Sequence, residues 1–159
     1  MADRRPGHLV AGEADTVRAL LQFQRESLVR KVIGVSEKDA RWSPVPSGTS
    51  LLWLMKHASL AERIWVLGRF ADRRAEVGHD RLEPCDTLGG AVAYYRLTWT
   101  EVDRIVDAAA GLDQRALITE PGSPGVNLRW ILMHLLEETA RHAGHADIIR
   151  EMLDGAAGR

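Results

Sequence analysis

The run LRWILMHLLEETARHAGHADIIREMLD, residues 128–154, is the stretch on which the fold turns. Its positions Leu128, Ile131, Leu135, Glu138, His142, His145, Ile149 and Met152 recur in steps of three and four, the period of a helix with one buried face. Asn127 just before it is a good N-cap, and Gly155 just after it is a good C-terminal stop. A long helix is predicted here.

Working outward, three earlier segments share the helical period. Residues 13–33 carry Val17, Leu20, Leu21, Leu28 and Val32, with Gly34 closing the segment. Residues 50–75 carry Trp53, His57, Leu60, Ile64 and Leu67, and residues 87–110 carry Leu88, Val92, Tyr95, Trp99, Val102 and Val106. Loops rich in Pro, Gly and Ser separate them, at residues 42–49 and 121–125. Strand-like alternation is absent. Four helices joined by breaker loops predict an all-α fold, a four-helix bundle.

Length and composition bound the rest. A chain of 159 residues fits one domain, and 45% hydrophobic with 27% charged residues is ordinary for a globular protein. Residues 13–155 read as that domain, and residues 1–12 as a flexible N-terminal arm. With 21 basic and 22 acidic residues the net charge is −1, which argues against a nucleic-acid partner. No signal peptide is legible, and the longest apolar run, Leu51 to Met55, is far too short to span a membrane. A single cysteine, Cys85, rules out an internal disulfide. A reducing, cytoplasmic location is therefore expected. Glu83 and Asp86 flank Cys85, poor company for an anionic nucleophile, so it reads as an incidental loop residue. Of five tryptophans most read as core, with one or two exposed enough to form a dimer face.

Two apolar stripes contain the wrong residues. His57 interrupts that of the second helix, and Glu138 and His142 that of the fourth, one turn apart and so projecting toward the same point. A lone buried carboxylate is costly unless paired or bound to a cation. A Glu four residues before a His can simply form an intrahelical pair; it also offers two neighbouring ligands for a divalent ion. His134, Glu138 and His142 stand at i, i+4 and i+8. The outer two are separated by about 12 Å of helical rise, too far to share one small ion. Another helix must complete a site, and His57 is the candidate. His134 and His145 read as orienting or pocket-lining residues.

These same residues carry a resemblance. Leu51 to His57, followed by Glu62-Arg63-Ile64-Trp65, resembles the second-helix signature of the DinB-like superfamily. Residues 43–50 resemble its DUF664 branch, and Leu128 to Asp147 is the strongest match. The similarity covers about residues 13–155 and is least distinctive in the third helix. It implies a metal triad of one His from helix two and two residues from helix four. Many members place His-x-x-x-His on the last helix; here Glu138 stands in the first place and His142 in the second. A His, Glu, His set is similar to that of mycothiol-dependent maleylpyruvate isomerase, a zinc-binding relative. Carried over, the implied ligands are His57, Glu138 and His142.

The resemblance further implies a small-molecule reaction and a homodimer. Relatives transfer a low-molecular-weight thiol, mycothiol or bacillithiol, to an electrophile. The reaction would be carried by a thiol or water at the metal instead of a side-chain nucleophile. Zinc is the first choice, and His/Glu donors also suit Ni, Mn or Fe. The expected function is a metal-dependent thiol S-transferase or isomerase. A metal-dependent hydrolase, or a non-catalytic metal-stabilised binding or dimerisation module, are the alternatives. No Gly-x-Ser-x-Gly elbow, phosphate-binding glycine loop or His-Glu-x-x-His motif is present.

Overall fold

The computed structural model describes residues 6–156. The elements are α1 (Glu13–Val32), a short α2 (Glu37–Arg41), α3 (Leu51–Glu62), α4 (Leu88–Asp107) and α5 (Leu128–Asp154). The helix of α3 continues as a wider, π-helical stretch over Arg63–Phe70. There is no strand among the described residues; one isolated bridge joins Arg115 and Asn127. The fold is the all-α helical bundle expected. No helix of the described residues is long and apolar enough to cross a membrane. The first five residues of the expected arm lie outside those described. Residues 6–12 have no regular structure, and Pro6 to Leu9 lie beside Ala19, Leu20 and Phe23 of α1.

Local chemistry sets the helix ends. The Ser50 side chain accepts from Trp53 N–H at the start of α3, Thr87 from Gly90 N–H at the start of α4, and Asn127 from Trp130 N–H at the start of α5. Gly155 ends α5 with φ +73°, a left-handed turn that suits glycine. The second long helix is shorter than residues 50–75. It stops at Phe70, and Asp72 follows at φ +54°. The unforeseen α2 is capped by Ser36, whose hydroxyl accepts from Asp39 N–H.

Pair contacts give the directions. Arg25 meets Asp103 and Arg18 meets Asp107, so α1 runs against α4. Val17 and Leu21 cluster with Val66 and Leu67 while Leu28 and Val32 cluster with Leu51 and Leu54, so α1 runs against α3 too. Arg129 meets Glu13 while Lys31 meets Asp147, so α1 and α5 run together. The order is up, down, down, up. Two parallel neighbours in sequence, α3 and α4, require a connection that travels back along the bundle. Residues 71–87 make it.

The core has two apolar clusters. One gathers Leu28, Leu51, Leu54, Met55 and Ala146, the other Leu21, Val66, Leu67, Val102 and Ile131. Near their junction lies a buried ion pair, Arg25 with Glu62, at 2.9 and 2.6 Å. Burial opposes charge on the Arg25 guanidinium, but the Glu62 carboxylate outweighs it and holds Arg25 above its ordinary range.

The expected stripe of the second helix is not the one most deeply buried. Of the stripe only Leu67 is sealed, together with Leu51, Leu52, Leu54, Met55 and Val66 outside it, whereas Trp53, His57, Leu60 and Ile64 are only partly covered. The helix is apolar on several sides, so periodicity marked the flank of a groove as its centre. On α5, His145 and Met152 are exposed, contrary to the stripe. No tryptophan is fully buried, and Trp42 and Trp130 are exposed.

Candidate functional site

The partly covered flank of α3 faces α5. His57 on α3 meets Glu138 and His142 on α5, and nearer the far end Trp65 meets Trp130 and His134. The two helices therefore run antiparallel and share a groove.

At one end of the groove three side chains converge. Glu138 Oε1 lies 3.3 Å from His57 Nε2 and 3.0 Å from His142 Nε2. One donor atom from each residue lies within 4.8 Å of the other two. Donors bonded tetrahedrally to one ion at zinc distances stand roughly 3.3–3.5 Å apart, so this spacing needs little adjustment. His142 is buried, while His57 and Glu138 are partly open to solvent. Burial disfavours charge on His142 and holds its pKa below the ordinary imidazole value, against the pull of Glu138. Burial works to raise Glu138, but hydrogen bonds to His142 and His57 outweigh it and leave the carboxyl below its usual range. One neutral imidazole and one carboxylate are thus poised as ligands near neutral pH.

The long connection from α3 to α4 supplies a residue that helical periodicity could not reveal. Asp80 Oδ2 lies 2.8 Å from His57 Nδ1. Trp53, one turn before His57, stacks on its ring with centroids 4.4 Å apart. His57 is therefore held at its face and at its outer nitrogen. Its two nitrogens point at two carboxylates, Asp80 and Glu138. A neutral imidazole has one N–H to donate. With that proton on Nδ1 toward Asp80, the Nε2 lone pair faces the Glu138 oxygen directly. A cation between them, or a second proton on the ring, reconciles that contact.

The other two predicted histidines part company. His145 is exposed beside His142, with ring centroids 5.5 Å apart. His134 stands one turn from Glu138 but stacks on Trp130 at 5.0 Å and packs edge-on against Trp65 at 4.8 Å. It belongs to an aromatic cluster along the groove instead of the triad. Arg141 reaches Glu138 Oε2 at 3.4 Å, leaving Oε1 to the imidazoles. Cys85 is exposed and free.

Known proteins agree with this architecture. The family model described as Mycothiol-S-transferase matches residues 16–155. A solved structure, described as the conserved protein of locus from Enterococcus faecalis, is similar with a TM-score of 0.66 at 16% identity. The similarity covers 92% of this chain and 100% of that one, and at such identity it speaks to the fold. No curated protein matches the chain.

Proposed function

The chain belongs to the mycothiol-S-transferase family, and from that membership and the convergent triad we propose that it is a metal-dependent thiol S-transferase acting on a small electrophile. His57, Glu138 and His142 would hold one divalent ion, zinc by first choice. The observation that carries the metal is the opposition of His57 Nε2 and Glu138 Oε1 at 3.3 Å with the other imidazole nitrogen already engaged by Asp80. Two imidazoles and a carboxylate suit a catalytic zinc site, which keeps one position open. When bound there, the ion lowers the pKa of a coordinated thiol toward neutrality.

The chain's own residues do the remaining work. Asp80 fixes the proton of His57 on Nδ1, and Trp53 fixes the ring plane. Arg141 restrains the outer oxygen of Glu138. The side of His57 is open to solvent, where a thiol and an electrophile can enter and a proton can leave. Exposed apolar pairs, Tyr94 with Leu97 on α4 and Ile148 with Met152 on α5, are faces available to the expected homodimer.

The test begins with metal content. The protein purified without chelator is analysed by mass spectrometry beside His57→Ala, Glu138→Ala and His142→Ala. Near-stoichiometric metal in the parent, lost in all three variants, supports the site. The loaded protein is then assayed for thioether formation from mycothiol and a bimane electrophile. A protein that neither carries nor takes up metal would leave the triad as a hydrogen-bonded polar cluster and end the proposal. Metal-dependent turnover of esters without thiol would favour the hydrolase reading.

A further inference from the structure

The two imidazoles of the triad are held in unlike ways. His57 is engaged at both nitrogens, by Asp80 at Nδ1 and by Glu138 at Nε2. His142 gives only Nε2 to a partner, Glu138 Oε1 at 3.0 Å. Its Nδ1 is sealed from solvent in a residue 8% exposed, and no hydrogen bond reaches it. Native structures rarely leave a buried polar atom so, and each case calls for a physical reason.

The hydrogen bonding dictates where the His142 proton sits. An ionised Glu138 can only accept, so His142 Nε2 donates to it. In a neutral ring the lone pair is then on Nδ1, and no N–H goes unpaired. Serving as a ligand demands the other tautomer. A ligating imidazole is neutral and offers the lone pair of the nitrogen that faces the ion. At His57 that nitrogen is already bare, because Asp80 holds the ring proton on Nδ1. At His142 the proton on Nε2 must leave and one must arrive on Nδ1. The ring stays neutral, but its N–H now points into a buried place where an unpaired donor is costly.

The side chains shown against the His142 ring leave one acceptor for that N–H. Glu138 Oε1 serves the two Nε2 atoms, and Oε2 takes Arg141. His57, at 4.8 Å between ring centroids, has both nitrogens engaged. Trp53, edge-on at 6.2 Å, carries only a donor. His145, three residues further along α5 with its ring 5.5 Å away, is exposed, and its neutral ring has a lone pair to give.

We propose that His142 switches tautomer when the triad takes its ion, and that His145 is the positioning residue that turns inward to accept the new Nδ1 proton. His57 is then the fixed ligand and His142 the adjusting one, so part of the site's affinity is set by a residue that never touches the ion. The inference rests on the metal reading of the triad and not on thiol transfer.

The experiment takes the full chain, metal-free and loaded with zinc alone, and records long-range nitrogen–proton NMR of its six imidazoles, which separates protonated from bare ring nitrogens. His142→Gln identifies the His142 signals in the metal-free protein. The expected result is His142 protonated at Nε2 without zinc and at Nδ1 with it, while His57 stays protonated at Nδ1 throughout. Zinc affinity, read by competition with a chromophoric chelator, is compared in two variants at this exposed position. His145→Phe keeps a ring without an acceptor and should weaken zinc about tenfold. His145→Gln keeps an acceptor without the ring and should recover most of that loss. A protein that takes up no zinc ends the metal reading and this inference together. Zinc uptake with the same His142 tautomer in both states overturns the switch and leaves the metal site standing. A switch with equal affinities in His145→Phe and His145→Gln removes His145 from the role.

Discussion

At the scale of single residues, the contact between His57 and Asp80 bears directly on metal affinity. A carboxylate on the outer nitrogen of a ligating imidazole fixes its tautomer and strengthens it as a donor. Asp80→Ala is therefore expected to weaken zinc about 10–100-fold in competition with a chromophoric chelator, with the fold retained by circular dichroism. Unchanged affinity would mean that Trp53 alone suffices to hold the ring. The Arg25–Glu62 pair is the opposite case, distant from ligand chemistry and deeply buried. Removing one partner strands a charge in the core. Glu62→Ala should cost about 3–5 kcal/mol and lower Tm by roughly 10 °C. The double change Arg25→Met with Glu62→Leu should recover much of that loss, because it leaves no orphaned charge. A double variant as unstable as Glu62→Ala would show that the pair is needed for more than mutual neutralisation.

Helices were the legible part of this chain, for a physical reason: their apolar period and their caps are local. Asn127 and Gly155 bound α5 where expected, and Ser50 opens α3. What could not be read was the direction of each face in space. Trp53, His57 and Leu67 keep helical spacing, yet Trp53 and His57 face the groove while Leu67 joins Leu54 and Met55 in the core. A helix that is apolar nearly all round has no single stripe to find. The same limit hid Asp80, which reaches His57 from a loop, and Glu62, whose partner is thirty-seven positions away. The convergence of His57 with Glu138 and His142 was anticipated because polar residues on apolar faces stand out. His134 stands along the groove, and its partners there, Trp65 and Trp130, looked like ordinary core in the sequence. A prediction belongs here too. Ser50 is fully buried and caps α3 two turns before His57, so Ser50→Ala should cost about 1 kcal/mol. Thermal melts should show about a 2–4 °C drop for Ser50→Ala and little change for Ser50→Thr. Equal losses in both would point to packing at this position instead of the cap.

For the molecule as a whole, the up-down-down-up order determines how site and stability are joined. Because α3 and α4 run together, the connection between them must pass back beside α3, and it is pinned there at two consecutive residues. Asp80 takes His57, and Asp86 takes Lys56 Nζ at 2.5 Å. Asp86 also accepts from Glu83 N–H at 2.7 Å, while its carbonyl takes Arg41 of α2 at 2.5 Å. The Glu83 amide first, then the Lys56 ammonium, hold the Asp86 carboxyl below the usual carboxylate range. A carboxyl whose folded-state pKa is depressed stabilises the fold at pH values above its unfolded pKa, and that contribution is lost as pH falls through the folded value. Asp86→Asn should thus be less stable than the parent by a constant amount from about pH 5 to pH 7, with the difference shrinking below about pH 4 as the parent's carboxyl is protonated. Urea melts across that range measure it. The connection lies partly at the surface, so the loss is expected to stay near about 1 kcal/mol. A difference that persists unchanged into strong acid would mean that shape, not charge, anchors the connection at Asp86.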